Sequence, residues 1–257
     1  MIKSAVAALA AFALLALPAA AHAGRGPGGT SWFFEFTSNK TNKRVGSHSI
    51  IQPAIRDDKG TADESDDTFT AAKKSVIRFP RGSRVDTRAP RRCRHTARQV
   101  ATGEKRCPRK SRVGRGAAVS LVGATAQGGG TRLNSTIDAF NQNNRILFVV
   151  QPCGAGTGPT SGRQCAPAGS AILLEGRWKG VRRSPRLIVP TPPALLDIGI
   201  TIVRFELKTR KITKRVKKTR RSFVTTPRRC SGRWASSATE SYVNAPKLKI
   251  KDRQRCR

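Results

Sequence analysis

Two histidines are the side chains best suited to acid–base catalysis. Of the 3 histidines, His48 and His95 lie beyond the apolar N-terminus. As a base and an acid they would suit a ribonuclease-like mechanism. His95, however, lies in an arginine-rich stretch, and nearby positive charge lowers the affinity of a histidine for a proton. Surface histidines without a catalytic role are therefore the simpler interpretation.

Glutamates could supply the two carboxylates that glycoside hydrolysis needs across a cleft. Those outside the acidic cluster of residues 57–67 follow no shared motif and are Glu35, Glu104, Glu175, Glu206 and Glu240. Glu206 has basic neighbours in the sequence, so we predict that it is an ion-pair partner. The chain has no nucleophile elbow, zinc-protease motif, P-loop or dinucleotide fingerprint. We therefore predict a protein that is not an enzyme, with no catalytic residue and no cofactor.

A cluster of acidic residues suggests a calcium loop, because clustered carboxylates suit hard cations. It consists of Asp57, Asp58, Asp63, Glu64, Asp66 and Asp67. The spacing does not match an EF-hand loop, and Lys59 lies inside the cluster. The alternative is a solvated acidic loop, which we prefer. The cysteines and histidines form no Cys-x-x-Cys or mixed cluster either, so no metal site is predicted.

Basic residues dominate the chain, with 50 Lys and Arg against 15 Asp and Glu and a formal net charge of +35. Attraction to polyanions is expected at such a charge. The basic residues crowd in residues 81–115 and again in residues 208–221, where the second run also suits a charged hairpin tip or sheet edge. The residues predicted to bind a polyanion are Arg91, Arg92, Arg94, Lys208, Arg210, Lys211, Lys214, Arg215, Lys217, Lys218, Arg220 and Arg221.

The lack of aromatic side chains in the second basic run limits the kind of contact that it could make with a nucleic acid. Residues 208–221 contain no aromatic side chain on which a base could stack. Contact with a nucleic acid would therefore involve the backbone, without sequence preference and with strong salt dependence. Cations spread evenly over all faces would instead indicate a structural surface protein whose charge is incidental.

The N-terminus has the pattern of a secretory signal peptide over residues 1–23. Lys3 precedes an apolar run over residues 5–17, and Ala21 and Ala23 supply a small-x-small cleavage site. A retained membrane anchor is the alternative, but the run is short and Pro18 interrupts it. We predict a mature chain of residues 24–257 that is secreted or held at the cell envelope.

The chain has 6 cysteines, all beyond the predicted signal peptide. An even number in an exported chain predicts disulfides, and six cysteines allow 15 pairings. Proximity favours three pairs that each bracket one loop or hairpin: Cys93 with Cys107, Cys153 with Cys165, and Cys230 with Cys256.

Short apolar alternations separated by Gly and Pro predict about ten to twelve short strands and little helix. Ile198, Ile200 and Ile202 share one parity, whereas Val203 and Phe205 begin the opposite one, which predicts a β-bulge near residues 202–203. The predicted fold class is all-β, an antiparallel β-sandwich or jelly-roll-like domain stabilised by disulfides. Residues 24–257 are predicted to form this single domain.

Two segments resemble a known group of proteins. The first is Ile77-Arg-Phe-Pro-Arg-Gly82, followed by Cys93, Cys107-Pro108 and Ser111-Arg-Val-Gly-Arg-Gly116. The second is Phe223-Val-Thr-Thr-Pro-Arg-Arg-Cys230, followed by Gly232-Arg-Trp234 and Cys256. Together they resemble a family of exported, β-rich actinobacterial proteins with no established activity. The resemblance covers roughly residues 68–257 and implies no catalytic residues.

The function predicted from these features is that of an exported, non-enzymatic protein that associates with anionic envelope or extracellular polymers. These partners would be cell-wall or extracellular polysaccharide, or nucleic acid bound without specificity. Two alternatives stay open: a secreted hydrolase acting on an acidic polysaccharide or nucleic acid, and a structural surface protein with incidental charge.

Overall fold

The computed structural model describes residues 23–57, 68–123, 131–153, 171–216 and 218–257. Nearly all of the predicted signal peptide, most of the acidic cluster, Cys165 and Lys217 lie outside the described residues.

Two short helices are α1 Ala97–Ala101 and α2 Pro193–Asp197, and Arg109–Ser111 forms one 3-10 turn. The strands are β1 Gly24–Arg25, β2 Ser31–Phe36, β3 Arg44–Val45, β4 Ser47–Gln52, β5 Ile55–Asp57, β6 Thr68–Thr70, β7 Ala72–Arg78, β8 Arg84–Val85, β9 Arg112–Val122, β10 Thr131–Gln142, β11 Arg145–Pro152, β12 Ile172–Lys179, β13 Arg186–Pro190, β14 Ile200–Thr209, β15 Thr213–Val216, β16 Thr219–Ser222, β17 Val224–Thr225, β18 Arg233–Tyr242 and β19 Leu248–Arg255.

Twelve strands form one antiparallel sheet in the order β1-β2-β4-β14-β9-β10-β11-β12-β13-β7-β18-β19. The two ends of this order meet, because β19 lies against β1 and β2. The sheet is therefore a nearly closed, barrel-like structure. The prediction of an antiparallel all-β fold is confirmed. The strands do not divide into the two stacked sheets of the predicted sandwich or jelly roll, because one continuous hydrogen-bonded order joins them.

The edges of the sheet are joined by side chains that take the place of backbone partners. The Phe34 amide donates to Asp252 Oδ2 at 2.8 Å, and the Phe36 amide donates to Gln254 Oε1 at 2.9 Å. Gln254 Nε2 in turn donates to the Phe36 carbonyl at 2.9 Å. Burial raises the pKa of Asp252, although hydrogen bonds from the Phe34 and Arg253 amides act in the opposite direction. We call this junction between β2 and β19 the seam.

Replacing Asp252 with alanine should destabilise the protein, because it leaves the Phe34 amide buried without its acceptor. We expect Asp252→Ala to lower the free energy of unfolding by about 1–3 kcal/mol in urea denaturation. Asp252→Asn is the control, since its amide oxygen can still accept from Phe34. Equal losses in the two variants would show that the hydrogen bond does not stabilise the seam.

The predicted β-bulge in β14 is confirmed. The pairing of β14 with β9 shifts register between Ile202 and Arg204. Ile200 and Ile202 line the interior before the shift, and Phe205 and Leu207 line it afterwards. The extra residue therefore lets both apolar sets face the same core.

Aromatic side chains fill the interior and connect strands that are not neighbours in the sheet. Phe34 of β2 lies 4.9 Å from Phe79, and Phe148 of β11 lies 5.4 Å from Phe205 of β14, measured between ring centroids. Trp32 is fully buried, and its indole N–H donates to Ser236 Oγ of β18 at 2.9 Å. None of the described helices is both long and apolar enough to cross a membrane.

Two of the three predicted disulfides are confirmed. Cys93 is bonded to Cys107, and Cys230 is bonded to Cys256. The pairing of Cys153 with Cys165 lies outside the described residues. Disulfides persist in oxidising compartments, so the bonds indicate an extracytoplasmic environment.

Candidate polyanion-binding surface

The first basic segment is a loop fixed to the end of β10 by one buried amide. Asn141 is fully buried, and its Nδ2 donates to the carbonyls of Thr87, Pro90 and Arg91 at 2.9, 3.4 and 3.3 Å. The Cys93 amide donates to the Asn141 carbonyl at 2.8 Å, and the disulfide then closes the loop. These contacts fix the backbone of the loop. Three cations on it are exposed: Arg91, Arg92 and Arg94.

The second basic segment is a two-stranded hairpin, as its sequence predicted. Strand β15 pairs with β16, which places Lys214 opposite Arg221 and Arg215 opposite Arg220. Like charges directly across a strand pair are destabilising unless an anion lies near them. The other predicted cations of the run that the structure describes, Arg210, Lys211 and Lys218, are exposed. Lys217 lies outside the described residues.

The two basic segments, distant in sequence, lie beside each other at one end of the barrel. Arg221 Nη1 lies 3.7 Å from Asp86 Oδ2, and Arg88 Nε lies 3.7 Å from Asp86 Oδ1. The Asp86 amide donates to the Phe223 carbonyl at 2.9 Å, and β17 pairs with β8 immediately beside it. We call residues 81–94 and 210–221 the basic end.

Lys208, like Arg221, already has a carboxylate partner, but its partner lies on the wall of the barrel and is shared with other groups. Lys208 Nζ lies 3.3 Å from Glu206 Oε1, while Arg204 and His48 contact the same carboxyl group at 3.2 and 2.9 Å. Burial tends to raise the pKa of Glu206, but hydrogen bonds from His48, Arg204 and Lys208 outweigh it and lower that pKa. Glu206 is thus the ion-pair partner that the sequence predicted, and Lys208 lies on the outer wall of the barrel.

The arrangement that a ribonuclease-like mechanism needs is not formed. His48 lies on β4, whereas the His95 carbonyl accepts from Gln142 Nε2 at the end of β10. Strands β14 and β9 separate β4 from β10, so about three strand spacings, or roughly 14 Å, lie between the strand of His48 and the strand whose end contacts the His95 carbonyl. His48 lies instead between Glu206 and Glu35, with its Nδ1 3.7 Å from Glu35 Oε1.

The other glutamates that the structure describes do not form a pair across a cleft. Glu175 makes an ion pair with Arg145 at 3.3 Å, and Glu104 is exposed in the disulfide loop. Glu240 is fully buried inside the barrel. Within the described part of the chain, no group of three or more His, Cys, Asp or Glu is arranged to hold a metal ion.

Glu240 is a buried carboxyl group that sequence reasoning treated only as a scattered acid. It accepts a hydrogen bond from Ser75 Oγ through Oε2 at 2.6 Å, and its Oε1 has no partner. Burial raises the pKa of Glu240 to about 7, against the opposite effect of the Ser75 hydrogen bond. Strand parity was the signal for it, because Glu240 shares the inward parity of Trp234 and Ala238.

The barrel interior is unsuited to a polymer. Its cavity has a volume of about 80 Å³ and is lined mainly by apolar side chains, among them Trp32, Phe34, Phe148 and Trp178. That is smaller than the roughly 150 Å³ cavity known to hold benzene. Any polymer must therefore bind on the outer surface.

Comparison of the chain with family models, with curated proteins and with solved structures gives no match.

Proposed function

We propose that this is an exported, non-enzymatic protein of the cell envelope or extracellular space that binds anionic polymers through its basic end. The observation that carries the proposal is the meeting of the two basic segments at Asp86. One carboxylate there lies among many cations, so the positive potential of the two segments adds.

The frame of the basic end supports the same proposal. The Cys93–Cys107 bond and the buried Asn141 fix the loop, and the buried Phe223 lies directly after the hairpin. Because the backbone of these segments is already fixed, binding of a polyanion orders only the side chains of the cations and not the loop itself. The disulfides agree with export, because they indicate an oxidising compartment.

The chemistry of the surface favours contact with charge rather than with bases or sugar rings. The described residues of 210–221 contain no aromatic side chain. Binding by such a surface is driven by release of counterions and falls steeply as salt rises.

Neutralising four hairpin cations should weaken binding and flatten its salt dependence. We expect the variant with Arg210, Lys211, Lys214 and Arg215 all changed to Gln to lose up to about three units of slope in a plot of log K against log salt. Binding to a fluorescein-labelled anionic polymer such as heparin, followed by anisotropy between about 50 and 200 mM salt, measures it.

The control removes the same charge from the opposite end of the barrel, at exposed cations of β1, β7, β10 and the turn before β19. Its four changes to Gln are at Arg25, Lys73, Arg132 and Lys247. The control should keep most of the parent slope. An equal loss of slope in both variants would mean that binding depends on net charge alone. That result would favour a surface protein with incidental charge.

A further inference from the structure

The outer face of β18 is a floor of small side chains between two rows of cations. Positions 235, 237, 239 and 241 face outward, opposite to the buried Trp234 and Ala238. They carry Ala, Ser, Thr and Ser, so three of these positions offer hydroxyl groups. Ser237 faces outward and yet is only 6% exposed, which places it at the bottom of a groove.

Strand β19 forms the first row of cations along this groove. Lys249, Lys251, Arg253 and Arg255 occupy its alternate outward positions, and all four are exposed. The register places Lys251 beside Ser237 and Arg253 beside position 235. Alternate residues of a strand are about 7 Å apart, so the charges repeat at that interval.

Strands β7 and β13 form the second row. On β7, Arg78 is paired with Ser237 of β18, and Lys74 is paired with Ser241 of β18. Arg78 is also directly opposite Arg186 of β13, which in turn is opposite Lys179 of β12.

The second row has a repulsion that the described chain does not relieve. Like charges directly across strands are destabilising. None of the described carboxylates makes an ion pair with Arg78, Arg186 or Lys179. A bound anion between the rows would relieve the repulsion.

One end of the groove gathers three guanidinium groups. Arg233 is directly opposite Arg255, and Arg253 is two residues away on the same strand. The three line a shallow depression together with Ser231 and Gly232. Guanidinium groups bind phosphate through paired N–H donors, which favours phosphate at this position.

We propose that this groove binds one extended strand of a phosphodiester polymer along β18, with its phosphates between the two rows of cations. The proposal rests on the proposed function only for the class of ligand, an anionic polymer, and involves different residues. The rows are two strand spacings apart, or about 10 Å, which accommodates a single strand rather than a duplex. The outward positions of β7, β18 and β19 carry no aromatic side chain, so the backbone of the polymer is what the groove contacts.

The test uses the full mature chain and three fluorescein-labelled probes: a twelve-residue oligodeoxythymidylate, an abasic oligomer of the same length, and the matching duplex. The groove variant changes Lys251, Arg253 and Arg255 to Gln. A control variant changes Lys110, Arg115 and Arg132 to Gln, which removes the same charge from the far side of the barrel, at or beside β9 and β10. We expect the groove variant to bind the single strand at least tenfold more weakly at low salt, and the control to stay within about twofold.

The probes separate the sources of a phosphodiester chain. An affinity for the abasic oligomer within about threefold of that for the oligodeoxythymidylate supports contact with the phosphate backbone that both probes share. A polyol phosphate polymer has the same kind of backbone. A preference of more than tenfold for the oligomer with bases overturns the proposal, and so does equal or tighter binding of the duplex.

The two proposals can fail separately. Loss of single-strand binding in the hairpin variant but not in the groove variant overturns the groove and supports the basic end. The reverse result supports the groove and removes the basic end as the binding surface. Thermal unfolding of each variant checks that the barrel is intact, and removal of like charge should leave its midpoint unchanged or higher.

Discussion

Replacing Cys230 and Cys256 with serine should lower the free energy of unfolding by about 3.5 kcal/mol. The bond closes a loop with a sequence separation of 26, and cross-linking such a loop restricts the unfolded chain. It also joins the start of β18 to the end of β19, the strand at the seam. Urea denaturation of the parent and the double serine variant measures the difference.

Repulsion between the arginines near the Cys230–Cys256 bond should make the effect of removing the bond measurable in the folded protein as well. Arg233 and Arg255 are directly opposite each other beside the bond, and Arg253 lies near them. Without the cross-link, these strand ends should separate more easily at low salt, where repulsion is least screened. Hydrogen exchange of the amides at 253–256 should therefore speed up, and added salt should reverse part of the effect.

The Cys93–Cys107 bond provides the matched comparison. Its sequence separation is 14, so its removal should cost slightly less, about 3 kcal/mol. It closes an exposed loop outside the large sheet, and exchange at the seam should stay unchanged. A loss below about 1 kcal/mol in the Cys230 and Cys256 variant would contradict the view that this bond offsets the crowding of charge.

The β14 bulge was predictable because it depends on neighbouring residues. Ile200 and Ile202 have one parity and Phe205 and Leu207 the other, so only an extra residue lets both sets reach one core. The two confirmed disulfides were predictable for a similar reason, since each joins cysteines that bracket one local segment.

The closure of the sheet was not predictable from alternation. Inward and outward positions alternate identically in a sandwich and in a closed sheet. The difference depends on Asp252 and Gln254, each of which contacts a residue 218 positions away. A single polar side chain in a strand pattern does not reveal a partner at that distance.

The candidate binding surface was predictable in composition but not in arrangement. The sequence identified both basic segments, yet their meeting at Asp86 depends on β8 and β17, which are two residues long. Strands that short have no periodicity to detect. The groove over β18 was missed because its cations come from five strands, and only the register places Arg78 and Lys251 on either side of Ser237.

The buried Glu240 should make the protein less stable as pH rises. Its pKa in the folded state is about 7, compared with 4.5 for the free side chain. A carboxyl group whose pKa is raised by folding contributes stability below its unfolded pKa, and that stability is lost as pH rises through the folded value. At about 1.4 kcal/mol per pH unit, the loss between pH 4.5 and 8 is about 3 kcal/mol.

Glu240→Gln should remove this loss, because glutamine stays neutral and can still accept from Ser75. We expect the variant to be about 2–3 kcal/mol more stable than the parent at pH 8 and within about 1 kcal/mol of it at pH 4.5. Burial, followed by the charge of Glu240, also raises the pKa of Tyr242, so the phenol should ionise at lower pH in the variant. Urea denaturation at both pH values, with a spectroscopic titration of Tyr242, measures these changes.

Glu175→Gln is the matched control for this substitution. Glu175 is paired with Arg145 at the surface, where the side chains are 40% and 47% exposed, so the ion pair contributes little. The free energy of unfolding of the Glu175→Gln variant should depend on pH as that of the parent does. Were Glu240→Gln to keep the full decline in stability between pH 4.5 and 8, the buried carboxyl would not be its source. Asp252 at the seam, the other described carboxyl group whose pKa is raised, would then be the next residue to test.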